Sequence, residues 1–128
     1  MTRVFFWILT VMLAAGAVAP GAAQAAETLV VDLGGDVHQM KISGCRAGDD
    51  YYLIDAQGEN ATINILGALT GDQTYTTIDF FYVDAGEDKR AGTSGPPIPL
   101  VDGAFAFVGD VDISDGTTAE MRVNFAGC

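Results

Sequence analysis

No stretch of ten or more residues repeats apolar side chains at three, four and seven positions, whereas period-two alternation returns repeatedly between Thr28 and Ala126. That periodicity marks strands with one face in a core and the other in water, and it confines the chain to an all-β fold. Candidate strands are Thr28 to Leu33, Val37 to Gly44, Tyr51 to Ala56, Ala61 to Leu66, Thr76 to Asp84, Ala104 to Ile113 and Ala119 to Ala126, separated by Gly and Asp clusters that suit turns. About seven short antiparallel strands predict a two-sheet sandwich, with a small barrel as the alternative.

The C-terminal third is the clearest. Phe105, Phe107, Val111 and Ile113 alternate with Ala106, Val108, Asp110 and Asp112, and Gly109 marks a bulge or a close backbone approach. Ser114-Asp115-Gly116-Thr117 then turns the chain into a strand with Met121, Val123 and Phe125 on one face and Glu120, Arg122 and Asn124 on the other, which reads as a hairpin. Arg122 is placed to pair across strands with Asp110 or Asp112. Thr76 to Asp84 carries Ile78, Phe80 and Tyr82 on one face and Phe81 and Val83 on the other, the mark of a central strand. The expected main core is Phe80, Tyr82, Phe105, Phe107, Val111, Ile113, Met121, Val123 and Phe125.

Ala85 to Pro99 has no periodicity and holds three of the four prolines, so it reads as a long exposed loop. Loops of that length usually carry a task or are mobile. This makes Glu87, Asp88, Lys89, Arg90 and Ser94 the candidate partner-binding residues, since loops on a rigid β scaffold commonly bind.

The first 25 residues read as a secretory signal peptide, leaving 26–128 as one exported β domain. Arg3 is the positive n-region, Val4 to Val18 is almost unbroken apolar, and Ala23-Gln24-Ala25 is a small-x-small cleavage pattern. The apolar run falls short of the ~20 residues that cross a bilayer, so no membrane span is expected after cleavage. Export places the only two cysteines, Cys45 and Cys128, in an oxidising compartment, where an even count reads as one disulfide. Closing most of the mature chain into one loop contributes roughly 4 kcal/mol when the bridge is unstrained. Six Lys and Arg against 17 Asp and Glu give a formal net charge of -11. That argues against nucleic acid and anionic membranes, which are held by clustered cations.

Catalytic patterns fail one by one. His38 is the only histidine; it shares a strand face with Met40 and Ile42 and reads as a structural, partly buried side chain. Gly92-Thr93-Ser94-Gly95 lacks the second spacer of a nucleophile elbow. Asp110 and Asp112 would stand about 6.8 Å apart on one strand face, a spacing an inverting glycosidase could use, but nothing apolar beside them would raise a pKa. Trp7, the one tryptophan, lies in the leader, which leaves Tyr51, Tyr52 and Tyr75 as the aromatic rings for a sugar. Asp110-Val111-Asp112-Ile113-Ser114-Asp115-Gly116 fails the calcium-loop frame, with Gly116 at position 7 and Met121 at position 12. Asp110, Asp112 and Asp115 remain a weak alternative cation site by ligand hardness. One histidine and two bridged cysteines serve zinc poorly, and no phosphate loop opens a helix. No cofactor is expected.

Ser43-Gly44-Cys45, Ile63-Asn64-Ile65 with Gly67, Asp102-Gly103-Ala104-Phe105-Ala106-Phe107 with Gly109, and the last strand Met121-Arg122-Val123-Asn124-Phe125 ending at Cys128 form a layout that resembles the mycobacterial nineteen-kilodalton lipoprotein antigen family. The resemblance implies a small envelope protein, surface-exposed, recognised by a host immune system and without enzymatic activity. Leu13-Ala14-Ala15 is followed by Gly16 and not by the lipidated cysteine of that family, which predicts release without an anchor. The reading is therefore a non-enzymatic, secreted or periplasmic and cell-envelope-associated, antigen-like interaction protein with a protein or cell-surface partner. Its alternative is a domain that binds Ca2+ or a small ligand at the acidic C-terminal hairpin. Mass measurement on non-reduced exported protein should show two hydrogens fewer than the free dithiol; two free thiols would remove the Cys45 to Cys128 bridge.

Overall fold

A computed structural model describes residues 28–127; the leader before the expected cut at Ala25, and Cys128 with the bridge expected of it, lie outside the described residues. Eight strands follow in order: β1 (Thr28–Leu33), β2 (Asp36–Ala47), β3 (Tyr51–Gly58), β4 (Ala61–Ala68), β5 (Tyr75–Asp84), β6 (Glu87–Gly95), β7 (Phe105–Ile113) and β8 (Thr118–Phe125). Each pairs antiparallel with the next, and β1 pairs with β8, so the sheet closes into a barrel. The expected two-sheet sandwich is thereby corrected to the small-barrel alternative. Alternation alone cannot separate the two, because both put every second residue inside; what decides is the ladder from Leu29 opposite Phe125 to Leu33 opposite Met121.

The second correction is β6. Glu87 to Gly95 was expected as part of an exposed loop, yet it pairs with β5 at nine positions, from Thr76 opposite Gly95 to Asp84 opposite Glu87. Ala85 and Gly86 both have positive φ, 53° and 79°, the two-residue turn whose twist suits a hairpin. Loop character is kept only from Pro96 onward. Pairs of positive φ also turn the chain at Gly34 and Gly35 and at Asp102 and Gly103. In β2 the register shifts between Ile42 and Gly44, a bulge that lets Ile42 and Cys45 both pack against the core although they are three residues apart.

The interior is filled by side chains, as expected for eight strands. Tyr52, Phe80, Phe105, Leu29, Met40, Ile54, Ile63, Ile65, Ile78 and Met121 are among its largest fully buried members. Of the expected core, Phe80, Phe105, Val111, Met121, Val123 and Phe125 are buried, while Tyr82, Phe107 and Ile113 are half-buried against it. Phe81 and Val83 face outward and are exposed, 43% for Phe81, so β5 is not buried on both faces. Arg122 reaches Glu120 at 3.3 Å on its own strand and has Val108 opposite it, in place of the expected Asp110 or Asp112. Asp55, Asn64, Asp79, Arg90, Asp112 and Glu120 occupy the positions that alternate with the buried ones, the reverse of the apolar-out pattern of a lipid-facing barrel.

The lower end, away from the tight hairpins, is closed by the segment after β6. Tyr52 Oη donates to the Ile98 carbonyl at 2.6 Å, and the Ile98 amide donates to Thr76 Oγ1 at 2.8 Å. Burial pushes the Tyr52 hydroxyl up from its ordinary pKa of 10.0, with Thr76 partly opposing. Gly67 stands opposite Tyr52, and a Cβ on it would lie 2.1 Å from Tyr52 Cε2. The ring therefore occupies the space a side chain would take. Gly67→Ala should lower stability by roughly 1–3 kcal/mol in urea unfolding through overpacking. Phe80→Ala should cost about 3–5 kcal/mol and half-buried Phe107→Ala clearly less, a reversal of which would place Phe107 in the central core.

Candidate functional site

Closure is uneven, and the unevenness lies between β6 and β7. Both strands have nine residues, and each has a long ladder on its other side, nine positions for β5–β6 and eight for β7–β8. Between them the register has two positions only, Ala91 opposite Ile113 and Gly92 opposite Asp112. Above these the seam stays zipped: the Ser114 amide donates to the Arg90 carbonyl at 2.8 Å, and the Arg90 amide donates to Ser114 Oγ at 3.0 Å. Below Gly92, Thr93, Ser94 and Gly95 still pair with β5 while Phe105 to Val111 still pair with β8, and the two strands part.

Side chains explain the parting. Gly95 on β6 and Gly109 on β7, which a continued register would set opposite each other, bring no cross-strand side-chain contact to hold a ladder. The Phe107 ring folds over Gly109, where a Cβ would lie 2.9 Å from its Cζ. This is the close approach expected at Gly109, made by a neighbour two residues away. A hollow of about 570 Å³ opens there, with Ile78, Ile98, Pro97 and Phe107 among its apolar lining and Ser94, Val108 and Asp110 beside them. Val108 is 60% exposed. A second hollow of about 430 Å³ continues upward past Thr93 and Ser94 to Asp79, Arg90, Gly92 and Asp112. Beyond Arg90 a third depression, of about 600 Å³, surrounds Phe81 and Val83 on the outer wall.

The upper end of the seam is clasped by charge. Lys89 shares the inward face of β6 with buried Ala91, and its Nζ lies 3.0 Å from Asp84 Oδ2 and 3.3 Å from Asp115 Oδ2. Asp115 Oδ1 also accepts from the Thr117 amide at 2.9 Å and from its hydroxyl. The Thr117 hydroxyl and amide, with Lys89, hold the Asp115 carboxyl down at about 2, while hydrogen bonds to Asp84 and Asp115 hold the Lys89 ammonium up at about 12. Arg90 on the outer face donates to Asp79 at 2.7 Å and lies over the Phe81 ring at 5.4 Å. Burial, the largest cause, raises the Tyr82 hydroxyl above its ordinary 10.0; Lys89 opposes that and the surrounding carboxylates add to it.

The two sets of residues singled out in the sequence meet at this seam. Ser94 and Asp110 line the lower hollow, Arg90 and Asp112 the upper, and Lys89 holds Asp115. Glu87 and Asp88 stay apart from it, exposed on β6 opposite Asp84 and Val83. Asp115 is engaged by Lys89 and Thr117, and among the described residues no group of three His, Cys, Asp or Glu side chains could hold a metal ion. His38 is half-buried, its ring edge-on to Phe80 at 5.1 Å and 6.4 Å from Tyr82. Ser94 Oγ is 3.3 Å from Thr77 Oγ1, and Ser114 Oγ is held by the Arg90 amide. Sequence reasoning had singled out Ser94-Gly95-Pro96-Pro97 as a contact segment but missed Ile98 and Val108 as site residues; the glycines on both strands were the available signal. Compared with known proteins, the chain matches no family model, no curated protein and no solved structure.

The folded-state pKa of Asp115 lies below its ordinary 3.8, so its stabilisation is present above that value and is lost as pH falls through about 2. The Lys89 contribution, raised from 10.5, is complete below that value and is lost as pH rises through about 12. Thermal melts should therefore show Asp115→Asn below the native protein at neutral pH, with the gap closing as the pH is taken from about 4 toward 2. A gap independent of pH would dissolve the clasp.

Proposed function

We propose that this chain is an exported, non-enzymatic interaction module of the secreted or cell-envelope type, whose contact surface is the β6–β7 seam. One observation carries the reading: in a barrel otherwise laddered all round, this pair alone stops after two positions, and it leaves an apolar-floored slot flanked by Asp110 and Asp112. An interrupted ladder exposes backbone groups and apolar surface together, the combination that protein partners recognise. The contact region thus moves from a loop to a strand edge. The signal-peptide layout of residues 1–25 supports export.

A Cys45 to Cys128 bond belongs to the same proposal. Phe125 stands opposite Leu29 and Leu29 opposite Met40, so β8 runs in the same direction as β2 with β1 between them. The chain after Phe125 is therefore directed toward the Cys45 end of β2. The reading rests on the seam and not on the resemblance to the lipoprotein antigens.

Continuing the register one step past Gly92 and Asp112 would set Thr93 opposite Val111. The double variant Thr93→Cys with Val111→Cys, which keeps Asp110 and Asp112, can therefore be closed by oxidation next to the last ladder pair. The oxidised form should melt no lower than its reduced form but lose attachment to envelope fractions and medium components, with the native protein under the same reductant as control. Attachment that survives closure would overturn the assignment of the seam.

A further inference from the structure

We infer that the seam accepts an extended, positively charged strand of a partner protein, which completes the barrel by backbone pairing. The inference rests on the reading of the seam as the contact surface and adds the chemistry of what enters it. Thr93, Ser94 and Gly95 are already extended and held by β5 on one side, and Gly109 to Val111 by β8 on the other. Each strand turns alternate amide and carbonyl groups toward the gap, and only another extended backbone offers complementary groups at the same spacing.

The sides of the slot differ, and they set the side-chain pattern of the incoming strand. Its floor is the half-buried Ile98 and Phe107, with exposed Val108 at the lip, so inward positions of a guest meet apolar surface. Its outer margin carries Asp110 and Asp112, both exposed. The nearby cations are committed elsewhere: Lys89 to Asp84 and Asp115, Arg90 to Asp79, and Arg122 to Glu120. The charge facing a guest's outward positions is therefore negative, on a chain whose formal net charge is -11. Strand alternation turns these two margins into one pattern, apolar and Lys or Arg at successive positions.

The probe is the capped heptapeptide Lys-Val-Lys-Val-Lys-Val-Lys, compared with a Glu-for-Lys version and with one N-methylated along one edge. The protein is the full folded exported chain, and the readouts are titration calorimetry and amide hydrogen exchange. The Lys peptide should slow exchange at Thr93 to Gly95 and Gly109 to Val111 by about tenfold or more. The Glu and N-methylated peptides should bind at least about tenfold more weakly, and added salt should weaken the Lys peptide. Equal binding by the Glu or the N-methylated peptide, or protection elsewhere on the barrel, would overturn the inference. So would seam protection that rises with protein concentration without peptide, which would make a second copy the occupant. Loss of envelope attachment on oxidising the Thr93→Cys and Val111→Cys variant, with no preference for the Lys peptide, sinks the partner chemistry alone. Attachment that persists after oxidation sinks the underlying reading.

Discussion

The ladder between β1 and β8 governs everything else in the molecule. Once first and last strands are joined, the sheet has an inside of fixed girth, and the inward side chains of eight strands must fill it together. Large and small residues are matched across strands accordingly: Tyr52 lies over Gly67, and Phe80 stands opposite Ala91 and Ile63. Tyr52 joins this packing to the lower end, because its hydroxyl reaches the Ile98 carbonyl while Ile98 is held from the other side by Thr76. Filling the barrel and closing its base are thus one arrangement, and the interior is left to packing.

Strand identity was legible wherever inward positions are apolar. β1, β3, β4, β5, β7 and β8 announce themselves through runs such as Ile63 and Ile65 or Met121, Val123 and Phe125. β6 was hidden because its inward positions include Lys89, Ala91 and Thr93, which bring one small apolar side chain among them. Its strand character comes from β5 and from the Ala85-Gly86 turn, neither of which is a property of its own composition. Closure was equally invisible. It depends on residues nearly a hundred positions apart, such as Leu29 and Phe125, and local alternation is the same in a sandwich and in a barrel.

The residues of the candidate site were legible, but the form that brings them together was not. Ser94, Arg90, Asp110, Asp112 and Asp115 were singled out as two unrelated features, a loop and an acidic hairpin, and the fold lays them along the two sides of one seam. The apolar floor escaped notice because Phe107 looks like any core residue and Ile98 sits between prolines without periodicity. What makes them a site is the lapse of the ladder, which no single segment encodes.

That lapse lies between two fastened ends. Above it stand the Lys89 clasp and the paired bonds of Arg90 and Ser114; below it, Ile98 is tied to Tyr52 and Thr76. A gap so bounded can part locally without unravelling the barrel, because the strands remain laddered on their other sides. Exposed strand edges invite association with other copies, and charge beside the edge is the usual guard. Asp110 and Asp112 stand in that position, and on a second copy they would meet their own like. On the proposed reading of the seam, the same two carboxylates disfavour self-pairing and favour a cationic strand, so that a single pair of charges acts as guard and as selector.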